Sequence, residues 1–170
     1  MCIRDRANSF GLGYKQEFEE FPSLAIGSYG DNLLNITNAY SAINNNGKIQ
    51  NPKILEKIES FNNQSIWENK FISKKILDLK VNKKINKLLE KSVKEGTSKA
   101  AFISGKKIYG KTGTSDGNKD LWFIGSLDNL TTGIWIGYDD NKESELSSGN
   151  AAYLWKKFIS EIYEIPIKNK

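Results

Sequence analysis

Gly110-Lys111-Thr112-Gly113-Thr114-Ser115 gathers one cation, three hydroxyls and two glycines in six consecutive residues. Two chemistries fit those types. The first is phosphate binding, because Gly105-Lys106-Lys107-Ile108-Tyr109-Gly110-Lys111-Thr112 matches G-x-x-x-x-G-K-[ST] letter for letter. Such a loop needs a strand before it and a helix starting at the lysine, so that backbone N–H groups aim at the phosphates. Here Gly113, Asp116, Gly117 and Asn118 follow and start no helix, and Ile108-Tyr109 reads as strand. The phosphate reading is set aside. The second chemistry puts the cation and hydroxyls on a strand bordering a cleft, with a glycine that lets substrate backbone lie close. Lys111 then supplies positive potential, while Thr112 and Thr114 offer hydroxyls to an anionic group. The backbone N–H beyond Gly113 is a candidate oxyanion donor.

Composition narrows the choice. The 170 residues suit one compact domain, carry a net charge of +5, and include no histidine and a single cysteine, Cys2. That excludes a Ser-His-Asp triad, a Cys-His dyad, histidine metal ligands and an intrachain disulfide. Proton transfer must fall to Lys, Asp, Glu or Tyr. No metal or organic cofactor is implied. No run approaches eighteen apolar residues and the N-terminus has no apolar signal core, so neither a membrane span nor an export signal is expected in the chain as written. Both arginines, the cysteine and the methionine sit in Met1-Cys2-Ile3-Arg4-Asp5-Arg6. This hexapeptide resembles translated sequencing-adapter sequence, so residues 1–6 are expected to be a foreign tail and are left out of the fold reasoning.

The elements that must position the lysine segment follow from periodicity. From an N-cap at Asp31 or Asn32, Leu33, Ile36, Tyr40 and Ile43 recur at helical spacing. Asn44-Asn45-Asn46-Gly47 then supplies a left-handed stop. Residues 48–69 read as a strand pair or irregular hairpin. A second helix is expected over about 82–95, with Ile85, Leu88, Leu89 and Val93 on its apolar face and Gly96 at its end. Strands are expected at 108–114, 121–127 and 132–138, the middle one apolar on both faces, with a hairpin at Asp128-Asn129 and a turn at Asp116-Gly117. Ala151, Ala152, Trp155, Phe158, Ile159 and Ile162 form a closing amphipathic helix before Pro166. Helices, an antiparallel meander and a covering helix make an α+β architecture. Residues 74–107 hold eleven lysines against Asp78, Glu90 and Glu95. Without arginine or interleaved aromatics, this reads as a solvated helix face and no nucleic-acid partner is expected.

With these segments in order, the chain resembles a known family. Lys111-Thr112-Gly113 matches the K-T-G element of penicillin-interacting serine enzymes. Phe21-Pro22-Ser23-Leu24-Ala25-Ile26-Gly27-Ser28 resembles the "PSLALGS" approach to a helix found in class A penicillin-binding proteins, the bifunctional glycosyltransferase/transpeptidase enzymes. Asn38–Gly47 resembles their "AYATFANGG", and Glu95-Gly96-Thr97-Ser98-Lys99-Ala100-Ala101 their "EGTGRAA". Asp120–Gly125 and Gly133–Asp140 are similar to their "DAWFVG" and "GVWVGYDD". Residues 7–165 thus resemble the C-terminal part of a transpeptidase domain, followed by a tail over 166–170. The resemblance implies a β-lactamase/transpeptidase-like fold, incomplete on its N-terminal side. It implies Lys111 and Thr114 as catalytic residues and Thr112, Gly113 and Thr114 as substrate-binding residues. Asp120, Trp122 and Phe123 read as sheet framework, and Tyr40 and Trp155 as core.

The family reaction also needs a Ser-x-x-Lys nucleophile and a Ser-x-Asn motif, both upstream of K-T-G. Ser104-Gly105-Lys106-Lys107 fits the first pattern but abuts the lysine strand. Ser60-Phe61-Asn62 and Ser148-Gly149-Asn150 fit the second but fall in a turn and after the last strand. The expectation is therefore an inactive portion of a transpeptidase. Its parent would take peptidoglycan stem peptides or lipid-linked precursor and β-lactams, on the extracytoplasmic (periplasmic) face of the cytoplasmic membrane, through an upstream anchor. A non-catalytic peptidoglycan- or partner-binding module, or part of a serine β-lactamase or D,D-carboxypeptidase, are the alternatives. With its upstream partners missing, the chain is expected to leave apolar faces bare and to be marginally stable.

Overall fold

A computed structural model describes residues 3–13 and 22–166. Met1, Cys2, Phe21 and residues 167–170, on which parts of the sequence reading fall, lie outside the described residues. Residues 3–6, set aside above, belong to a short helix α1 (Ile3–Ser9), and Arg6 Nη1 donates to the Ile76 carbonyl at 2.8 Å.

The first long helix, α2 (Leu33–Asn44), starts as its sequence demands. Asn32 has extended backbone, and its side chain accepts the Asn35 N–H at 2.9 Å, which satisfies one of the donors a helix start leaves open. Its end is a left-handed pair, Asn46 at φ 54° and Gly47 at φ 81°. A Cβ on Gly47 would also lie 2.6 Å from the Leu77 carbonyl oxygen, so conformation and space both require glycine here.

Between α2 and the next helix the chain forms two small antiparallel pairs. Strand β1 (Lys48–Gln50) pairs with β4 (Ser73–Lys75), and they bracket a hairpin of β2 (Lys57–Glu59) and β3 (Ser65–Glu68). The hairpin read from residues 48–69 is therefore β2–β3 alone; β1 finds its partner beyond that range. Every residue of β2 and β3 is exposed, and Ile54, Phe61, Ile66 and Ile72 stand in solvent.

Helix α3 (Leu79–Glu95) begins three residues before the expected Asn82, because Asp78 takes the extended N-cap position. Asn82 and Val93 are buried on its inner face, where Asn82 Nδ2 donates to the Ile43 carbonyl at 2.9 Å. Leu88, assigned to the apolar face, is instead 69 % exposed. At 100° per residue it falls well away from Asn82 and Val93.

The main sheet is a three-stranded antiparallel meander in the order β5 (Ile108–Thr114), β6 (Asp120–Leu127), β7 (Leu130–Gly137). Apolar residues on both faces of β6 agree with its central place, and Asp128 takes the left-handed turn conformation. Helix α4 (Ser148–Ile162) covers one face, opened by a capping box between Ser147 and Asn150. Trp155 is fully buried and meets Phe123 edge-on, ring centroids 5.2 Å apart. Val93, Ala101, Ile108, Leu127, Ala151 and Ile159 complete this core. Phe158 and Ile162, assigned to the same face, are about half exposed at its margin, and Tyr40 is half-buried.

Candidate active site

Strand β5 is an edge strand of its sheet, bonded to β6 on one side and flanked on the other by the segment that leaves α3. Glycine makes its close seat possible. A Cβ on Gly110 would meet Phe123 Cζ at 2.5 Å, so the strand can lie on the core aromatic only without a side chain there. The Lys111-Thr112 pair sits in the middle of this strand. No helix begins at Lys111, which removes the structural basis of the phosphate-loop match.

The strand's hydrogen bonds determine which groups face outward. Thr112 pairs with Phe123 and Thr114 with Leu121. The Thr112 N–H donates away from β6, to Ser98 Oγ at 3.2 Å, and the Ser115 N–H donates to the Asp120 carbonyl at 3.1 Å. Bonded and non-bonded pairs alternate along an antiparallel ladder. Thr112 and Thr114 therefore occupy non-bonded positions, and their N–H and C=O groups point to the outer edge.

Around that edge lies a chain of hydroxyls. Ser92 Oγ is 2.9 Å from Ser98 Oγ, and Thr97 Oγ1 is 2.8 Å from Thr112 Oγ1. Lys111 Nζ curls over the strand edge to donate to the Thr112 carbonyl at 2.9 Å, with Thr97 Oγ1 at 3.3 Å. Thr112 is 8 % exposed and its hydroxyl is engaged with Thr97, whereas Lys111 and Thr114 are exposed. Among the described residues Lys111 makes no ion pair, so its positive charge is uncompensated there. The Lys111 ammonium and the outward peptide groups of Thr114 thus share one edge, while those of Thr112 are taken by Ser98 Oγ and Lys111 Nζ. From Thr112 to Thr114 is about 7 Å along a strand. The β5–β6 connection is held by Asp120, which accepts from Ser115 Oγ at 3.0 Å and from Trp135 Nε1 at 2.9 Å.

The sequence reading named Lys111, Thr112, Gly113 and Thr114 but gave no role to Ser92, Thr97 and Ser98. Their signal was available: one hydroxyl a helical turn before the stop at Gly96 and two directly after it, ahead of a strand that needs edge partners. Ser98 is fully buried. Ser98→Ala strands the buried Thr112 N–H and is expected to cost about 1–3 kcal/mol. Urea denaturation reads this directly, and a midpoint equal to that of the unmodified chain would remove Ser98 from the support of β5.

The Ser-x-x-Lys and Ser-x-Asn matches lie apart from the outer edge of β5 in the chain's elements. Ser104 lies in the turn before β5, Ser60-Phe61-Asn62 in the β2–β3 turn, and Ser148 in the first turn of α4.

A meander edged by a lysine–threonine strand and backed by α4 is the β-lactamase-like fold. In solved structures it is shared with penicillin-binding protein 1A from Haemophilus influenzae, at TM-score 0.78 and 18 % identity over 96 % of this chain and 31 % of that one. It is shared too with the imipenem acyl-enzyme complex of penicillin-binding protein A from M. tuberculosis, at TM-score 0.72 and 19 % identity over 92 % of this chain and 41 % of that one. Residues 8–154 match the penicillin binding protein transpeptidase domain, and the chain belongs to that family. Among curated relatives, penicillin-binding protein 1A of Rickettsia typhi is 34 % identical over 78 % of this chain and 20 % of its own length. Penicillin-binding protein 1A of Aquifex aeolicus is 30 % identical over 86 % and 22 %. The chain spans about a fifth of the length of these relatives. Among the described residues no helix is long and apolar enough to cross a membrane.

Proposed function

We propose that this chain is the substrate-binding, C-terminal portion of a class A D,D-transpeptidase that cross-links peptidoglycan stem peptides. The observation that carries the reading is the outer edge of β5, where the Lys111 ammonium lies beside the outward-facing N–H and C=O of Thr114. An extended peptide ending in a carboxylate fits such an edge by adding as a strand, with its charge drawn to the ammonium. Thr97 and Thr112 hold the lysine, and Gly113 keeps the approach free of a side chain.

In the reaction, a serine supplied by the upstream part of the parent attacks the carbonyl before the terminal stem residue. The new C–O bond forms as charge moves to the carbonyl oxygen, and in this reading the Thr114 N–H serves as one oxyanion donor. The C–N bond then breaks, the leaving amine takes a proton, and an acyl-serine ester remains. An amine from a second stem peptide attacks the ester, forms the cross-link and returns the proton to serine. A β-lactam follows the first half and stops at the ester. The parent's place is the extracytoplasmic face of the cytoplasmic membrane.

The test is covalent capture of a fluorescent penicillin. The 170-residue chain is expected to take no label that survives denaturing electrophoresis, whereas the same reading frame extended upstream through Ser-x-Asn and Ser-x-x-Lys is expected to be labelled stoichiometrically. An upstream sequence without a nucleophile, or an extended protein that stays unlabelled, would replace this reading with that of a non-catalytic binding module.

A further inference from the structure

Three strands are tied together just past the outward edge of β5. The Ser115 N–H donates to the Asp120 carbonyl at 3.1 Å, as a bonded rung of the β5–β6 ladder should. The return half of that rung is made by side chains. The Asp120 N–H donates to Ser115 Oγ at 2.8 Å, and Ser115 Oγ donates to Asp120 Oδ2 at 3.0 Å. The Ser115 carbonyl is left to accept the Asn118 N–H at 3.1 Å, which starts the turn. The second carboxylate oxygen, Asp120 Oδ1, accepts Trp135 Nε1 from β7 at 2.9 Å. The indole reaches it by lying across Gly137, where a Cβ would come within 2.5 Å of Trp135 Cζ2 and 2.8 Å of the Lys119 carbonyl oxygen. One carboxylate therefore fastens the end of β5 to β6 and β7.

We infer that Asp120, acting through Ser115, is a positioning residue for substrate at the β5 edge. A trans peptide plane carries its N–H and C=O on opposite sides. The Ser115 N–H, turned inward to β6, thus sets the Thr114 C=O outward, and the rung at Gly113 sets the Thr114 N–H outward. The rung beyond Thr114 is the last of the ladder. With backbone groups alone it would be a single hydrogen bond, at a place where ladders fray. The carboxylate adds charge-assisted bonds that hold it. The clasp therefore aims the Thr114 C=O, the acceptor that the backbone N–H of an added strand would meet. Both Asp120 oxygens are bonded within the sheet, so its effect on substrate passes through Ser115 and the Thr114 peptide. This role rests on the transpeptidase reading.

The test compares two acylating agents on the upstream-extended protein: benzylpenicillin, whose side chain carries an amide N–H, and penicillanic acid, which has none. Each rate is read by competition with a fluorescent penicillin. Asp120→Ala and Ser115→Ala are expected to lower the ratio of the two rates about three- to tenfold, the loss of one well-aimed hydrogen bond. Ser115→Ala keeps the test open where Asp120→Ala does not fold. Asp120→Asn is expected to stay within about twofold of the unmodified ratio, because its amide oxygen still accepts from Trp135 and its Nδ2 donates to Ser115 Oγ. Asn82→Ala removes a buried hydrogen bond of α3 to the Ile43 carbonyl. It is expected to lower the urea midpoint and leave the ratio unchanged, since a smaller folded fraction slows both agents alike. An unchanged ratio in Asp120→Ala and Ser115→Ala, or an equal fall in Asn82→Ala, would overturn the positioning role and leave the transpeptidase reading in place. An unmodified extended protein that takes no fluorescent penicillin would overturn both.

Discussion

Lys111→Ala in the upstream-extended protein is expected to slow acylation by penicillin about 10²–10³-fold, the loss typical when one preorganised charge or donor is removed from a reacting centre. The size follows from the geometry. Lys111 Nζ is held by the Thr112 carbonyl at 2.9 Å and by Thr97, and no carboxylate among the described residues neutralises it. Alanine thus removes the cation and leaves the strand intact, since the backbone groups of Lys111 bond to β6. Arginine is not an equivalent replacement, because its planar fork cannot occupy the compact site of an ammonium that caps a single carbonyl. Thr97→Val should act through the lysine: the hydroxyl contact is lost, the charge stays, and the slowing should be about tenfold or less. Stopped-flow acylation with a chromogenic β-lactam separates the two. Equal rates for Lys111→Ala and the unmodified protein would show that the β5 edge does not meet the substrate. An effect of Thr97→Val as large as that of Lys111→Ala would mean that Thr97 touches the substrate itself.

Trp155→Ala is expected to abolish cooperative melting of the chain. Trp155 is fully buried between Phe123 and the backbone of Gly125, where a glycine Cβ would come within 2.7 Å of the indole. Removing so large a side chain costs about 3–5 kcal/mol in transfer and cavity terms. A domain of this size has only about 5–15 kcal/mol in total, and exposed Ile54, Phe61, Ile66 and Ile72 place this chain toward the lower end. Trp155→Phe is the control. It keeps an edge-on aromatic and discards an indole N–H that has no hydrogen-bond partner among the described residues, so a transition should persist. Near-ultraviolet circular dichroism against temperature follows both. A midpoint for the alanine variant within about 2 °C of the unmodified chain would contradict a core centred on Trp155.

What could be read without coordinates depended on how local the cause was. The Asn32 cap, the left-handed stop at Asn46-Gly47, the double-faced β6 and the closing helix are local patterns of backbone freedom and hydrophobic period, and each appears in the structure at or within a few residues of its expected position. The α+β class followed from the order of these pieces along the chain, and the family from the resemblance of segments such as Lys111-Thr112-Gly113 and Gly133–Asp140 to its motifs. Lys111 and its neighbours were legible as chemistry because a cation, hydroxyls and glycines crowd one short segment. The partner of β1, the exposure of Leu88, and the assembly of Ser92, Thr97 and Ser98 against β5 were not legible. Each depends on which surface a distant segment covers, and a helix or strand pattern says which residues share a face without saying what meets it. Sequence determined that a lysine, hydroxyls and glycines share one strand of a chain in the penicillin binding protein transpeptidase domain family. The tertiary structure decided that β5 stands at a sheet edge with Thr114 facing outward, because only strand pairing settles which peptide groups are spent on a neighbour and which remain for a substrate.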